Sequence, residues 1–397
     1  MPNTALFSNN LLAGARNCAV DCGGVTEGTN VLILNLTNDP RCPVDEFTVH
    51  ALATACQEVG ARPQVLWGTG MEKEWWDDPS PIILGAFRGA DLVINNAPSI
   101  GRPLRAVRDI MFREGVSMIR NMATTVEALS SAWARFPFEL SDEITRTAGE
   151  YVDRASTWRV VAPGGTDISG SLAPPSNSQS GFGRYGTRRK TSRNRPFPQG
   201  CLVPITSVGA NGVIVSDRTL PREARHLGVG EACFREPVRL TVQDNRVVDI
   251  EGGHEADVLR RFHESTAQHI GEDAWNLSSF HGGVNPKALL RASPHVDPDE
   301  WHKFKHNHPR VMHFHVGGSK QVQEYDYPYM FHVSLEVDLA TLYLDGDPLY
   351  TAGGFTVLDD PRIRELAGRF GDPDDLLRIV ELPPMPRGDL AVMGGTP

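Results

Sequence analysis

The sequence has few cysteines, no long apolar run and no excess of positive charge. Six cysteines in a chain of 397 residues are too few for the disulfide scaffold of a small secreted protein, so we expect reduced, buried thiols. No apolar run approaches the roughly 20 residues that a membrane-spanning helix needs. The N-terminal segment also lacks the basic start and apolar stretch of a signal peptide. These absences predict a cytoplasmic protein with no membrane partner.

Charge and glycine placement argue against two further classes. The net charge is −10, whereas a protein that binds nucleic acid needs a basic surface for the phosphates, so we expect no nucleic-acid partner. A dinucleotide-binding domain carries a glycine fingerprint directly after its first strand. The run VLILNLTNDPRCP has no glycine there. We therefore expect no NAD and favour a scaffold role for the N-terminal part.

Length and periodicity predict two domains of different class. Four apolar runs between residues 31 and 121 alternate with helical patterns, and such an alternation is typical of a parallel sheet covered on both faces. This rhythm ends near residue 156, where short strand-like runs begin. We predict an α/β protein, with a doubly wound, mostly parallel, Rossmann-like scaffold domain over residues 1–156. An α+β metal-binding catalytic domain follows over residues 157–397.

Histidines are concentrated in the second half, where 11 of the 13 lie between His254 and His332. In the run FHVSLEVDLATLYLDG, alternation assigns one face to apolar side chains and the other to polar ones. The apolar set is Val333, Leu335, Val337 and Leu339, and the polar set is His332, Ser334, Glu336 and Asp338. The run VMHFHVGG shows the same alternation, with His313 and His315 on one face. In SSFHGG, His281 precedes a predicted Gly-Gly turn. Cross-strand neighbours are about 5 Å apart, so these strands predict a metal pocket.

Other histidines have ordinary interpretations. His302, His306 and His308, in WHKFKHNHP, are expected in a solvated loop, and His295 likewise. His263 lies in a helical pattern on the same side as Arg260, and we expect it at the surface.

A basic segment interrupts the acidic chain between residues 174 and 198. It contains Arg184, Arg188 and Arg189 among other cations, together with aromatic residues and glycines. One interpretation is a solvated loop, and another is pairing with the acidic surface of a partner subunit in a homo-oligomer. The third is that Arg184, Arg188 and Arg189 bind an anionic substrate, because guanidinium matches a carboxylate with two parallel hydrogen bonds.

Several motifs resemble one enzyme family. In order and spacing, FPQGCLVPI, NGVIVSD, NRVVDIEGG, GEDAWNLSSFHGGVNPKA, MHFHVGGS and FHVSLEVDLATLYLDG are similar to the second domain of the 2,5-dihydroxypyridine 5,6-dioxygenases. That iron-dependent family is related to the M29, aminopeptidase T-like metallopeptidases. The resemblance implies one iron(II) held by His281, by His332 and by an aspartate whose position is occupied here by Ser334.

The serine leaves the third ligand open. A 2-His-1-carboxylate triad loses both charge and a ligand when its carboxylate is absent. His313, His315, Glu336, Glu272, water or a substrate carboxylate could complete the site, or the metal could differ. We favour His313, because the related aminopeptidases place a histidine in the matching HxxxG position. In PFPQGCLVP, Cys201 stands where the peptidases are expected to carry their catalytic glutamate.

The leading hypothesis is a non-heme iron, extradiol-type dioxygenase. It would use O₂ to cleave the ring of a small, anionic, hydroxylated aromatic or heteroaromatic compound. Fe(II) is the expected cofactor, with Mn, Zn or Co as alternatives. Glu272, His315 and Ser334 are the expected catalytic residues. The competing hypotheses are a metal-dependent hydrolase of the M29 type and a non-enzymatic binding protein on the same fold.

Overall fold

The structure is a computed structural model. It describes residues 8–36, 43–68, 80–96, 107, 110–172, 194–202, 204–216, 236–291, 298–318 and 332–382. The predicted substrate-binding residues Arg184, Arg188 and Arg189 lie outside these ranges, as does His295.

The helices and strands are numbered here in chain order within the described residues. The α-helices are α1 (Asn9–Arg16), α2 (Glu46–Glu58), α3 (Pro81–Arg88), α4 (Val126–Ser130), α5 (Ala132–Arg135), α6 (Phe138–Arg154), α7 (His254–Ile270), α8 (Pro298–Lys305), α9 (Pro361–Ala367) and α10 (Pro373–Leu377). The first strands are β1 (Asn30–Leu36), β2 (Arg62–Gly68), β3 (Leu92–Asn95), β4 (Ser117–Asn121), β5 (Thr157–Val161), β6 (Asp167–Leu172), β7 (Asn194–Phe197) and β8 (Ser207–Ser216). The remaining strands are β9 (Val238–Gln243), β10 (Arg246–Glu251), β11 (Leu277–Gly282), β12 (Val311–Gly317), β13 (His332–Asp338), β14 (Thr341–Leu344), β15 (Asp347–Thr351) and β16 (Gly354–Phe355).

The chain divides into two compact units. The first comprises Met1–Glu143, Arg189–Gly200 and Lys287–Leu290, and the second comprises Ile144–Arg188, Cys201–Pro286 and Arg291–Pro397. The division between residues 156 and 157 stays a prediction of the sequence.

The first unit contains a parallel sheet of five strands in the order β2-β1-β3-β4-β7. The central strands are mostly apolar, and Ile33, Leu34, Val93 and Ile94 are fully buried. A strand buried on both faces needs covering layers on both sides, which the helices of an α/β unit supply. The predicted α/β class is confirmed.

Buried amides link the carboxyl ends of three of these strands. Asn96 donates to the side-chain oxygen of Asn35 at 2.8 Å, and Asn121 donates to that of Asn96 at 2.7 Å. All three are inaccessible to solvent. Because a buried amide is costly without partners, this chain of hydrogen bonds fixes the ends of β1, β3 and β4 relative to one another.

The second unit contains two sheets. The larger has eight strands in the order β10-β9-β8-β6-β5-β14-β15-β16, and the smaller has three in the order β11-β12-β13. Every pairing within both sheets is antiparallel. Aromatic side chains pack between them, and the rings of Trp158 and Phe280 have centroids 4.3 Å apart. The antiparallel sheets with helices agree with the predicted α+β character.

Among the described helices, none combines the length and apolar character required to cross a bilayer.

His263 is buried, so its expected surface position is wrong. Its side chain is fully inaccessible, and its Nδ1 lies 2.8 Å from the carbonyl oxygen of Ala274. Phe262 and Trp275 flank the ring. The side of α7 that carries His263 is therefore the packed side. Burial lowers the pKa of His263 to about 4, and the Ala274 carbonyl offsets only part of that effect.

This lowered pKa predicts acid sensitivity. Between about pH 6.5 and 4 the unfolded chain gains a proton at His263 that the folded chain does not. Stability from this group is thus fully present above the unfolded pKa and is lost as pH falls, at up to about 1.4 kcal/mol per pH unit. In urea unfolding, the unfolding free energy of wild type should fall between about pH 7 and 5. For His263→Gln, which keeps an N–H donor, we expect that fall to be smaller by about 1–2 kcal/mol.

His254→Gln is the matched control, because His254 is exposed at the start of the same helix. It should retain the wild-type pH dependence. Equal acid sensitivity in all three proteins would contradict the assignment to His263.

Candidate metal centre

The three-stranded sheet gathers the polar residues on one face. The register pairs His281 with His313 and His313 with Glu336, and it pairs His315 with Ser334. Cross-strand partners share a face, as do residues two apart along a strand. These five side chains therefore project from the same side of the sheet, and the alternation predicted from the sequence is confirmed for residues 333–338.

The opposite face is apolar. Phe280, Phe314 and Leu335 lie in register across the three strands and are fully buried. The rings of Phe280 and Phe314 stack with centroids 5.7 Å apart. Leu339, predicted on this face, lies beyond the end of β13 in a turn with a positive φ of 52°. Packing of the apolar face fixes which side chains the other face can present.

A histidine from outside the sheet completes the cluster. Helix α8 ends at Lys305, and the turn that follows brings His306 against the polar face. The His306 ring lies with its centroid 3.6 Å from that of His313 and 5.5 Å from that of His281. One ring nitrogen each from His281, His306 and His315 lies within 4.8 Å of the others. This spacing is compatible with three imidazoles around one metal ion.

Hydrogen bonding at the cluster fits metal ligation. His315 Nδ1 lies 3.0 Å from the hydroxyl of Ser279, which is the kind of contact that orients a ligating imidazole and leaves Nε2 to coordinate. Nδ1 of His306 and Nε2 of His313 are buried and have no hydrogen-bond partner among the described residues. An unsatisfied buried nitrogen costs about 1–3 kcal/mol. The residues present therefore fit a metal.

Two histidines of the cluster, His306 and His313, are held neutral. The pKa of His306 is well below its ordinary value because of burial first and of the neighbouring His313 second. Burial likewise depresses the pKa of His313, with His281 as the next cause. A neutral imidazole is the form that binds metal, so burial prepares these side chains for that role.

Glu336 is ionised although it is buried. Burial alone would raise its pKa, but the Lys305 ammonium and His302 outweigh burial and lower it. Lys305 Nζ contacts one carboxylate oxygen, and His302 Nδ1 lies 3.4 Å from the other. The carboxylate is thus compensated by cationic and hydrogen-bonding neighbours.

Cys201 supports the turn that carries His306. Its thiol lies 3.0 Å from the carbonyl oxygen of His306 and 3.1 Å from the side-chain oxygen of Asn307. Cys201 also forms a β-bridge with Gly283, next to β11. The residue that replaces the glutamate expected of a peptidase therefore connects the His306 turn to the sheet.

The predicted site residues fall into three groups. The structure brings together His281, His313, His315 and Ser334, with the Ser334 hydroxyl 3.4 Å from His313 Nδ1. It does not bring Glu272 to them, because Glu272 is exposed on the 3-10 helix Gly271–Trp275 and pairs with Arg246. For His332 the described part is the backbone, which pairs with Gly317.

The expected solvated loop at WHKFKHNHP is wrong. His302 lies on α8, His306 joins the cluster, and His308 is buried, with Nε2 2.7 Å from the carbonyl oxygen of Val380. The missed signal is Trp301 and Phe304, two aromatic residues three positions apart on one face of a helix. Both are fully buried.

Comparison with known proteins identifies a family. The family model described as NicX, 2,5-dihydroxypyridine 5,6-dioxygenase, matches residues 18–357. The solved 2,5-dihydroxypyridine dioxygenase from Pseudomonas putida KT2440 is 18% identical, with a TM-score of 0.63 over 88% of this chain and 98% of that one. Wild-type AmpT from Thermus thermophilus is 15% identical, with a TM-score of 0.51 over 87% and 98%. Both likenesses concern the fold. No curated protein matches the sequence.

The close packing at Gly283 allows a test of the His306 turn. A Cβ at Gly283 would lie 2.3 Å from the carbonyl carbon of Asn307, so Gly283→Ala must displace the backbone next to His306. We expect a loss of about 1–3 kcal/mol in unfolding free energy and a fall in metal content, measured by urea unfolding and elemental analysis. Gly164→Ala is the control, because its Cβ would meet no atom within 4 Å. Unchanged metal content in Gly283→Ala would show that the His306 turn does not contribute to metal binding.

Proposed function

The chain belongs to the NicX, 2,5-dihydroxypyridine 5,6-dioxygenase family, and from this premise we propose that it is a metal-dependent, ring-cleaving dioxygenase. Its substrate would be a small hydroxylated aromatic or heteroaromatic compound of the 2,5-dihydroxypyridine type. The observation that carries the proposal is the convergence of the imidazoles of His281, His306 and His315, which place one ring nitrogen each within 4.8 Å of the others.

His281, His306 and His315 are the proposed ligands of one Fe(II). When bound, the metal would supply a centre on which O₂ and substrate can react, which requires open coordination positions. Three protein ligands leave such positions. This set replaces the expected His313 by His306, and His332 stays a prediction from the family resemblance. Ser279 holds the His315 ring through its hydroxyl.

The neighbouring polar residues have positioning roles in this proposal. His315 acts as a ligand rather than as an acid or base. Ser334 lies within 3.4 Å of His313 Nδ1 and orients that ring beside His306. Glu272 has no part in this proposal, because it lies on an exposed 3-10 helix in an ion pair with Arg246.

Charge favours an anionic substrate. Three neutral imidazoles leave the charge of a divalent metal unneutralised, and opposite charges attract strongly where water is excluded. A ring hydroxylate or carboxylate of the substrate would supply the negative charge. Arg184, Arg188 and Arg189 stay predicted contacts of that anion.

The ligand set predicts the behaviour of two variants. His306→Ala and His315→Ala should each reduce metal content from about one ion per chain to roughly a tenth or less, because each removes one of three ligands. The measurement is elemental analysis of protein purified without chelator, with circular dichroism as the check of folding. His254→Ala, at an exposed site, is the control. Full metal occupancy in both cluster variants would refute the ligand set.

Oxygen dependence tests the reaction class. With 2,5-dihydroxypyridine and related hydroxypyridines and aminophenols, we expect uptake of about one O₂ per substrate consumed and no turnover in anaerobic buffer. An oxygen electrode and ultraviolet absorbance of the ring report the two quantities together. Turnover that continues without oxygen would instead assign the protein to the hydrolases.

A further inference from the structure

A second group of potential ligands lies beside the three-histidine cluster. One atom each from His302, His306 and Glu336 lies within 4.8 Å of the others. His306 belongs to both groups. Two nitrogens and a carboxylate oxygen form a donor set that divalent metals accept, so the arrangement resembles the start of a two-metal centre.

A lysine occupies the cation position of this second group. Lys305 is fully buried, Glu336 is 1% exposed, and the Lys305 ammonium contacts a carboxylate oxygen of Glu336. His302 Nδ1 lies 3.4 Å from the other oxygen. A buried carboxylate requires a compensating positive charge, since an unpaired one costs several kcal/mol. The ammonium provides that charge without a metal.

We propose that the Lys305 ammonium stands in for a second divalent cation, so that it limits the centre to one metal and its removal creates a new metal site. In the absence of the ammonium, Glu336 and His302 would bind the new ion, and solvent would complete its coordination while His306 serves the first metal. This inference rests on the proposed function only for the first metal. The number of ions that the cluster binds can be measured whatever reaction the protein catalyses.

The helix offers a matched comparison. Lys303 lies on the same helix, is 2% exposed and pairs with Glu300 at 2.9 Å. It is a second buried lysine paired with a carboxylate, but its carboxylate is not in either ligand group. Only the loss of Lys305 should therefore change metal binding.

The test is metal stoichiometry with Co²⁺ as the probe. Protein stripped of metal is titrated by calorimetry and checked by elemental analysis after gel filtration. We expect about one ion per chain for wild type and Lys303→Met, and about two for Lys305→Met. The double variant Lys305→Met/Glu336→Gln should return to about one, because it lacks the carboxylate. A single ion in Lys305→Met would overturn the proposal.

Folding of Lys305→Met supplies a second readout. Without metal this variant leaves Glu336 uncompensated, so we expect a lower melting temperature than in wild type and a larger rise on addition of Co²⁺. If the variant is unfolded without metal, refolding with Co²⁺ should recover it. Failure of Co²⁺ to recover or stabilise it would also overturn the proposal. Full metal occupancy in His315→Ala, together with the gain of an ion in Lys305→Met, would refute the three-histidine site while retaining the second one.

Discussion

The register between β12 and its two neighbouring strands is the constraint on which the candidate metal centre depends. It aligns His281 with His313 and His315 with Ser334, and the packed Phe280–Phe314 pair on the other face holds that alignment. A slip of one residue would turn every side chain of a strand to the opposite face. The apolar packing of one face therefore determines the chemistry of the other.

Burial has opposite effects on the two kinds of ionisable group at this face. For imidazoles it favours the neutral form, as the lowered pKa of His306 and His313 shows. For Glu336 it would favour protonation, and the adjacent Lys305 prevents that. A buried ion pair contributes little net stability in general. The Lys305–Glu336 pair has another consequence, because it keeps an ionised carboxylate beside the histidines while the ammonium balances its charge.

Sequence patterns predicted the parts of the fold that depend on local periodicity. The apolar runs of β1 to β4 predicted the parallel sheet, and alternation along β13 predicted the polar face. The short strand β7 lay beyond the reach of such reasoning, because its residues NRPF carry little apolar pattern and pair with β4 from a distant part of the chain.

His306 was missed for a related reason. The segment WHKFKHNHP appears hydrophilic because of its lysines, yet Lys303 and Lys305 are both buried by pairing with Glu300 and Glu336. The partner of Lys305, Glu336, lies 31 residues away in the sequence, so no local pattern reveals this pair. Glu272 shows the opposite case, since a motif match predicted it as a site residue while the structure places it on an exposed 3-10 helix in an ion pair with Arg246.

Ser334 and the Lys305–Glu336 pair have the same electrostatic consequence. Ser334 stands where the family resemblance implies an aspartate, so that position carries no charge. The negative charge of Glu336 is balanced by the Lys305 ammonium. The proposed ligand group is therefore without negative charge of its own. A divalent ion there would keep its full charge, and unit charges 4 Å apart interact by about 4 kcal/mol at an effective dielectric constant of 20. Under this ligand set the substrate's anionic group takes the place of the missing carboxylate, so metal and substrate would strengthen each other's binding by the same factor.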